Sequence, residues 1–162
     1  MTDEYLKMVL ALPDEFFENI TPEFGNLFWV ETYQGWEDSY SRKTYAILDH
    51  VFESGNYSLI LMDSTQIDER LYKWDFQYNK RDEVTYWRGW LIPSQEQLLQ
   101  IYKTKKDLQY DSMALLWLAN WIEDKVTEDH GFCFDYESAE AITLLWVQET
   151  CFNQAWDGKK WI

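Results

Sequence analysis

The 162 residues, 46% of them hydrophobic and 19% aromatic with ten Trp, are enough to build one aromatic-rich core, and they exclude a disordered chain. No run approaches 18 uninterrupted apolar residues, which excludes a membrane-spanning helix. The 29 acids against 14 bases give a net charge of −15, so the molecule as a whole repels phosphate and direct nucleic-acid binding is disfavoured.

The acids are unevenly spread. Residues 1–40 hold nine acids and one base, residues 41–106 nine acids and ten bases, and residues 107–157 eleven acids and one base. A balanced middle therefore lies between two acidic flanks. The start, Met1-Thr2-Asp3-Glu4, lacks the basic region of a secretory signal. That points to a cytoplasm, with Cys133 and Cys151 as reduced thiols.

In chain order, Thr2 is placed to cap a first helix, with Tyr5, Leu6, Val9, Leu10 and Leu12 on its apolar face and Pro13 stopping it. Asp14 to Ile20 predicts a second short helix. Leu27 to Val30 is a buried strand or a short helix, because periodicity does not separate the two. Tyr40 to Phe52 predicts a helix, with Tyr45, Leu48 and Phe52 on one side. Tyr57 to Met62 is a short apolar strand, and Asp63 to Leu71 a loop or helical turn.

Tyr72, Trp74, Phe76 and Tyr78 alternate with polar residues, the period of a half-buried strand. With Val84 to Ile92 they predict an antiparallel hairpin over about 72–92, turning at Asn79 to Glu83. An aromatic sheet face is also how single strands are stacked, which makes these four a surface of interest.

After Pro93, Ser94 and Gln97 have capping-box spacing and start a helix to about Lys103. Asp111 or Ser112 starts another. Its expected inward residues are Leu115, Leu116, Ala119, Ile122 and Val126, with Trp117 and Trp121 stacked. Asp135 is placed to cap a last helix that runs to about Phe152, before an aromatic tail. The expected fold is α+β in a single domain, 1–162: a small antiparallel sheet covered by helices, with the C-terminal half mainly helical.

The residues for chemistry are few. His130 and Cys133 make only one tight pair where structural zinc sites use two, and no glycine spacing cradles a phosphate. Asp49-His50 and Asp129-His130 supply histidines beside acids, but no nucleophile signature accompanies them. The sequence implies no cofactor, no metal and no catalytic residue. It reads as a binding protein rather than an enzyme, a small His/carboxylate enzyme being the reading set against it.

The acid excess is either a solvated surface or a means of recognising a basic partner. A folded protein of 19.7 kDa has about 8,600 Å² of surface, roughly one acid per 300 Å², far too sparse to imitate DNA unless the flanks cluster. The candidate partner-binding residues are Asp3, Glu4, Asp14, Glu15, Glu18 and Glu23 from the first flank, with Glu123, Asp124, Glu128 and Asp129 from the second.

Trp90-Leu91-Ile92-Pro93-Ser94-Gln95-Glu96-Gln97-Leu98, then Ser138-Ala139-Glu140 with Leu144-Leu145, and the closing Trp156-Asp157-Gly158-Lys159-Lys160-Trp161 follow one another over about 70 residues. This order resembles a group of small proteins encoded by phages, prophages and other mobile elements of Gram-positive bacteria. Those carry a W-L-P-x-Q-x-Q-L segment, an S-M-E-x-L-W-L helix and a W-D-G-x-x-W end. The chain departs from the pattern in the extra Ile92 and in Ala139 to Ile142.

The resemblance carries over no catalytic residue. It implies a mobile-element inhibitor of host defence, of anti-CRISPR or anti-restriction type, acting as a DNA mimic on the basic surface of a nuclease or other nucleic-acid-binding defence protein. The alternative is an immunity or adaptor protein that neutralises a basic toxin. Neither reading specifies an oligomeric state.

Overall fold

The computed structural model describes residues 2–34, 39–51, 53, 57–62, 70–72, 77–80, 83–128, 136 and 138–162. For 32–34, 39–42, 57, 70–72, 77–80 and 83–88 only the backbone is described. The fold is α+β, with its long helices in the C-terminal half. The one-domain expectation rests on length; in the structure the chain divides into two compact units. One joins Met1–Ile20 to Pro93–Ile162, and the other is Thr21–Ile92.

The second unit is a six-stranded antiparallel sheet. Its strands are β1 (Leu27–Gln34), β2 (Ser39–Val51), β3 (Tyr57–Leu61), β4 (Arg70–Tyr72), β5 (Gln77–Lys80) and β6 (Glu83–Leu91), in the order β4-β3-β2-β1-β6-β5. Its buried face follows the period of two. Phe28 and Val30 on β1, Ala46 and Leu48 on β2, Leu59 and Leu61 on β3 and Leu91 on β6 are all nearly inaccessible. Register lines them up, Phe28 facing Ala46 on one side and Leu91 on the other, with Leu48 facing Leu59.

Two expectations change here. Residues 40–52 were expected to be helical, but β2 covers 39–51. Tyr45, Leu48 and Phe52 happen to fit a helical spacing. The stronger pattern is alternation: Ala46 and Leu48 are buried while Lys43 and Ile47 are exposed, until the register shifts between Leu48 and His50. Thr44, Tyr45, Ile47 and Val51 are also branched or aromatic residues that suit a pleated surface.

The 72–92 hairpin is smaller than expected. β5 and β6 do pair, with Lys80 facing Glu83 across the turn. Tyr72, however, belongs to β4 and faces Ser58 on β3. Tyr72 and Tyr78 thus lie in strands at opposite edges of the sheet and form no common row. Trp74 and Phe76 lie outside the described residues, as does most of the 63–71 loop.

The first unit is helical: α1 (Asp3–Leu10), α2 (Asp14–Phe17), α3 (Gln95–Lys106), α4 (Asp111–Glu128) and α5 (Ala139–Val147), which continues as a π-turn over Gln148–Phe152. Local chemistry sets the starts. Thr2 accepts from the Tyr5 N–H, Ser94 and Gln97 complete a capping box, and Ser138 accepts from the Ala141 N–H. The expected cap Asp135 lies outside the described residues; Ser138 holds the N-cap position of α5.

α5 is the centre of this unit. Ala141, Thr143, Leu144, Leu145, Trp146 and Val147 are all buried, and α1, α3 and α4 pack on it. Such burial on every side explains why this helix is apolar all round rather than striped. The Trp146 ring stacks on Tyr102 of α3 at 3.7 Å between centroids, and Phe16 meets Phe152 at 5.5 Å.

Candidate interaction surface

Both acid-rich stretches fold into the helical unit, apart from residues 21–40 of the first. That unit carries 17 acids and seven bases, a net −10, while the sheet unit carries 12 acids and seven bases, a net −5. Asp3, Asp14, Glu15 and Glu18 sit exposed on or beside α1 and α2. Glu123, Asp124 and Glu128 are exposed in the last turns of α4. α1 and α4 are both seated on α5.

The remaining candidates separate from this group. Glu23 is exposed but belongs to the sheet unit, in a turn where its N–H donates to Asn26 Oδ1 at 2.7 Å and Gly25 takes φ +84°. Asp129 lies outside the described residues. Glu4 is engaged internally: its Oε1 accepts from Trp156 Nε1 at 2.9 Å and its Oε2 pairs with Lys7 Nζ at 3.2 Å. The indole N–H holds this carboxyl below the usual carboxylate range. Partial burial opposes that shift, and Lys7 adds to it.

The closing Trp-Asp-Gly-Lys-Lys-Trp motif is a clamp. Asp157 Oδ1 accepts the N–H groups of Lys159 and Lys160, both at 2.8 Å, and these bonds lower its pKa. Gly158 turns the chain at φ +91°, and Trp156 bridges to Trp161. Trp161 Nε1 then donates to the Met8 carbonyl at 3.0 Å. The tail is thereby fastened along α1.

α4 departs from its expected orientation. Ala114 and Leu118 are its buried residues, with Trp121, Ile122, Lys125 and Val126 half-buried. Leu115, Leu116 and Ala119 face out instead of in, and Trp117 is 54% exposed with Leu116 at 60%. The helix has apolar residues on every side, so spacing alone left its inner face undecided; the small Ala114 allows the close approach to its neighbours. Tyr110, Met113, Leu116 and Trp117 consequently form an outward apolar stripe that sequence reasoning missed.

On the sheet, Trp29 is flanked in register by Tyr45 and Trp90, all half-buried, and the Trp29 and Tyr45 rings meet edge-on at 4.9 Å. Lys43 Nζ pairs with Glu31 at 3.0 Å on the same face. The alternation of β1 was the available signal for this row.

Among the described residues Cys151 is the one cysteine. Burial pushes the Cys151 thiol up, the opposite of an activated nucleophile. No group of three or more His, Cys, Asp or Glu side chains converges as a metal site among these residues. His130 and Cys133 lie outside them. No described helix is long and apolar enough to cross a membrane. Compared with known proteins, the chain matches no family model, no curated protein and no solved structure.

Proposed function

We propose that this is an acidic binding protein that occupies a basic surface on a protein partner, and that the partner is a nucleic-acid-targeting defence enzyme of a bacterial host. The observation that carries this reading is the gathering of residues 1–20 and the second acidic flank into one helical unit of net charge −10. Seven of the ten candidate carboxylates are exposed there: Asp3, Asp14, Glu15, Glu18, Glu123, Asp124 and Glu128. A basic groove that holds nucleic acid presents the complementary field, and complementary fields raise association rates and set specificity. The resemblance over residues 90–161 supplies the context of a mobile-element inhibitor.

The test uses purified defence nucleases with basic clefts, titrated calorimetrically with the whole protein. Binding that weakens at least tenfold between about 0.05 and 0.5 M salt is expected, because screening shortens the reach of surface charge. The triple variants Asp14→Lys/Glu15→Lys/Glu18→Lys and Glu123→Lys/Asp124→Lys/Glu128→Lys should each weaken it further. Affinity indifferent to salt and to both variants would remove the mechanism.

A further inference from the structure

We propose that the C-terminal hairpin is an autoinhibitory strap: it occupies Glu4 on the acidic surface, and an arginine-bearing partner displaces it. This rests on the acidic-surface reading above and names the regulation of that site. Of the eight described candidate carboxylates in the helical unit, seven are exposed. Among the described residues Glu4 alone has its carboxylate taken up, by Trp156 at 2.9 Å and by Lys7 at 3.2 Å. What sits on Glu4 is also the cationic end of the flank. Residues 107–162 hold three bases, and two of them, Lys159 and Lys160, stand exposed on the turn of this hairpin. No ion pair among the described residues engages either ammonium. The strap thus stands where a basic partner would stand.

The hairpin can leave as a unit because it closes on itself. Ala155 and Ile162 exchange both backbone hydrogen bonds at 2.9 Å, and the Asp157 N–H donates to the Lys160 carbonyl at 3.1 Å. Its two indole rings pack against each other at 5.2 Å. The polar attachments to α1 are two, Trp156 to Glu4 and Trp161 to the Met8 carbonyl. α1 has a seat of its own: the Tyr5 hydroxyl donates to the Pro93 carbonyl at 2.5 Å, and the helix packs on α5. Chemistry favours the exchange. A guanidinium brings a fork of charged N–H groups to a carboxylate, against one neutral N–H from the indole. A partner already held by the adjacent, exposed Asp3 therefore outcompetes Trp156 at Glu4. While the strap is closed, apparent affinity falls in proportion to the fraction of molecules that are open.

The test titrates the full chain with a decaarginine peptide at about 0.05 M salt and follows the Trp156 indole N–H by heteronuclear NMR. Saturation should raise the hydrogen-exchange rate of that N–H about tenfold while the amides of α5 stay protected. Trp156→Phe keeps an aromatic ring beside Trp161 and removes the donor, so it should bind the peptide about threefold more tightly than wild type. Adding Glu4→Gln should abolish that gain. The exchange measurement needs no substitution, so it decides even where Trp156→Phe is destabilised. Absent binding, or binding that ignores salt and both lysine-substituted triple variants, removes the acidic-surface reading and the strap with it. Binding that responds to those but leaves the Trp156 N–H protected overturns the strap alone. So does a folded Trp156→Phe protein that binds no tighter than wild type.

Discussion

Trp156 donates its indole N–H to the Glu4 carboxylate at 2.9 Å, joining residues 152 positions apart in the chain. A charged acceptor makes this a strong hydrogen bond, and it ties the tail to the first turn of α1. Glu4→Gln should cost about 1–2 kcal/mol at neutral pH. The folded carboxyl titrates below its unfolded value, so its contribution is complete above the unfolded pKa and is lost as pH falls through the folded one. Thermal melts of wild type and Glu4→Gln should differ near pH 7 and converge as the carboxyl is protonated in acid. A gap independent of pH would show that the carboxylate charge is not what matters.

Trp161 presents the second half of the clamp. Its ring lies 5.2 Å from that of Trp156, and its N–H reaches the Met8 carbonyl. Trp161→Ala removes half-buried apolar area and orphans that carbonyl, a loss of about 2–3 kcal/mol in urea unfolding. Trp161→Phe keeps most of the area and should lose about 1 kcal/mol, the hydrogen bond alone. Equal losses in the two variants would contradict this division.

Gln148 opens the π-turn with its side chain 1% exposed, and neither its Oε1 nor its Nε2 finds a partner among the described residues. Desolvating an unsatisfied amide is unfavourable, so an apolar side chain of similar shape relieves the strain. Gln148→Met should be as stable as wild type or up to about 2 kcal/mol more stable in urea unfolding. Gln148→Glu should cost more than about 3 kcal/mol, because it buries an unpaired charge. A clear loss in the Met variant would mean that the amide is satisfied.

The Ser94–Gln97 capping box meets both ends of its geometry, at 3.2 Å for the Gln97 N–H and 3.0 Å for the Ser94 N–H. Ser94→Ala should cost about 1 kcal/mol and Ser94→Asp close to nothing, since a carboxylate caps equally well. Chemical unfolding of the two variants decides it.

Much of the candidate surface was legible, and its failures have local causes. Asp3, Asp14, Glu15, Glu18, Glu123, Asp124 and Glu128 are exposed where charge demands it, but that Glu4 is engaged by Trp156 depends on a contact across the whole chain. The outward stripe of α4 was hidden because Leu115, Leu116, Ala119, Ile122 and Val126 match a buried face as well as Ala114 and Leu118 do. Residues 40–52 show the same ambiguity between periods: Tyr45 and Leu48 satisfy a helix, while Ala46, Ile47 and Leu48 satisfy a strand, and pairing with β1 decides between them.

Composition, charge placement and cap chemistry by themselves determined that this is an acidic α+β protein, and where Thr2 and Ser94 start helices. Those features rest on interactions within a few residues. Tertiary structure alone decided that residues 1–20 complete the C-terminal helical unit, and that Tyr72 and Tyr78 occupy opposite edges of one sheet. It also decided which side of α4 meets solvent. Each is a choice among pairings that local spacing leaves nearly equal, and only the burial of a shared apolar face selects one.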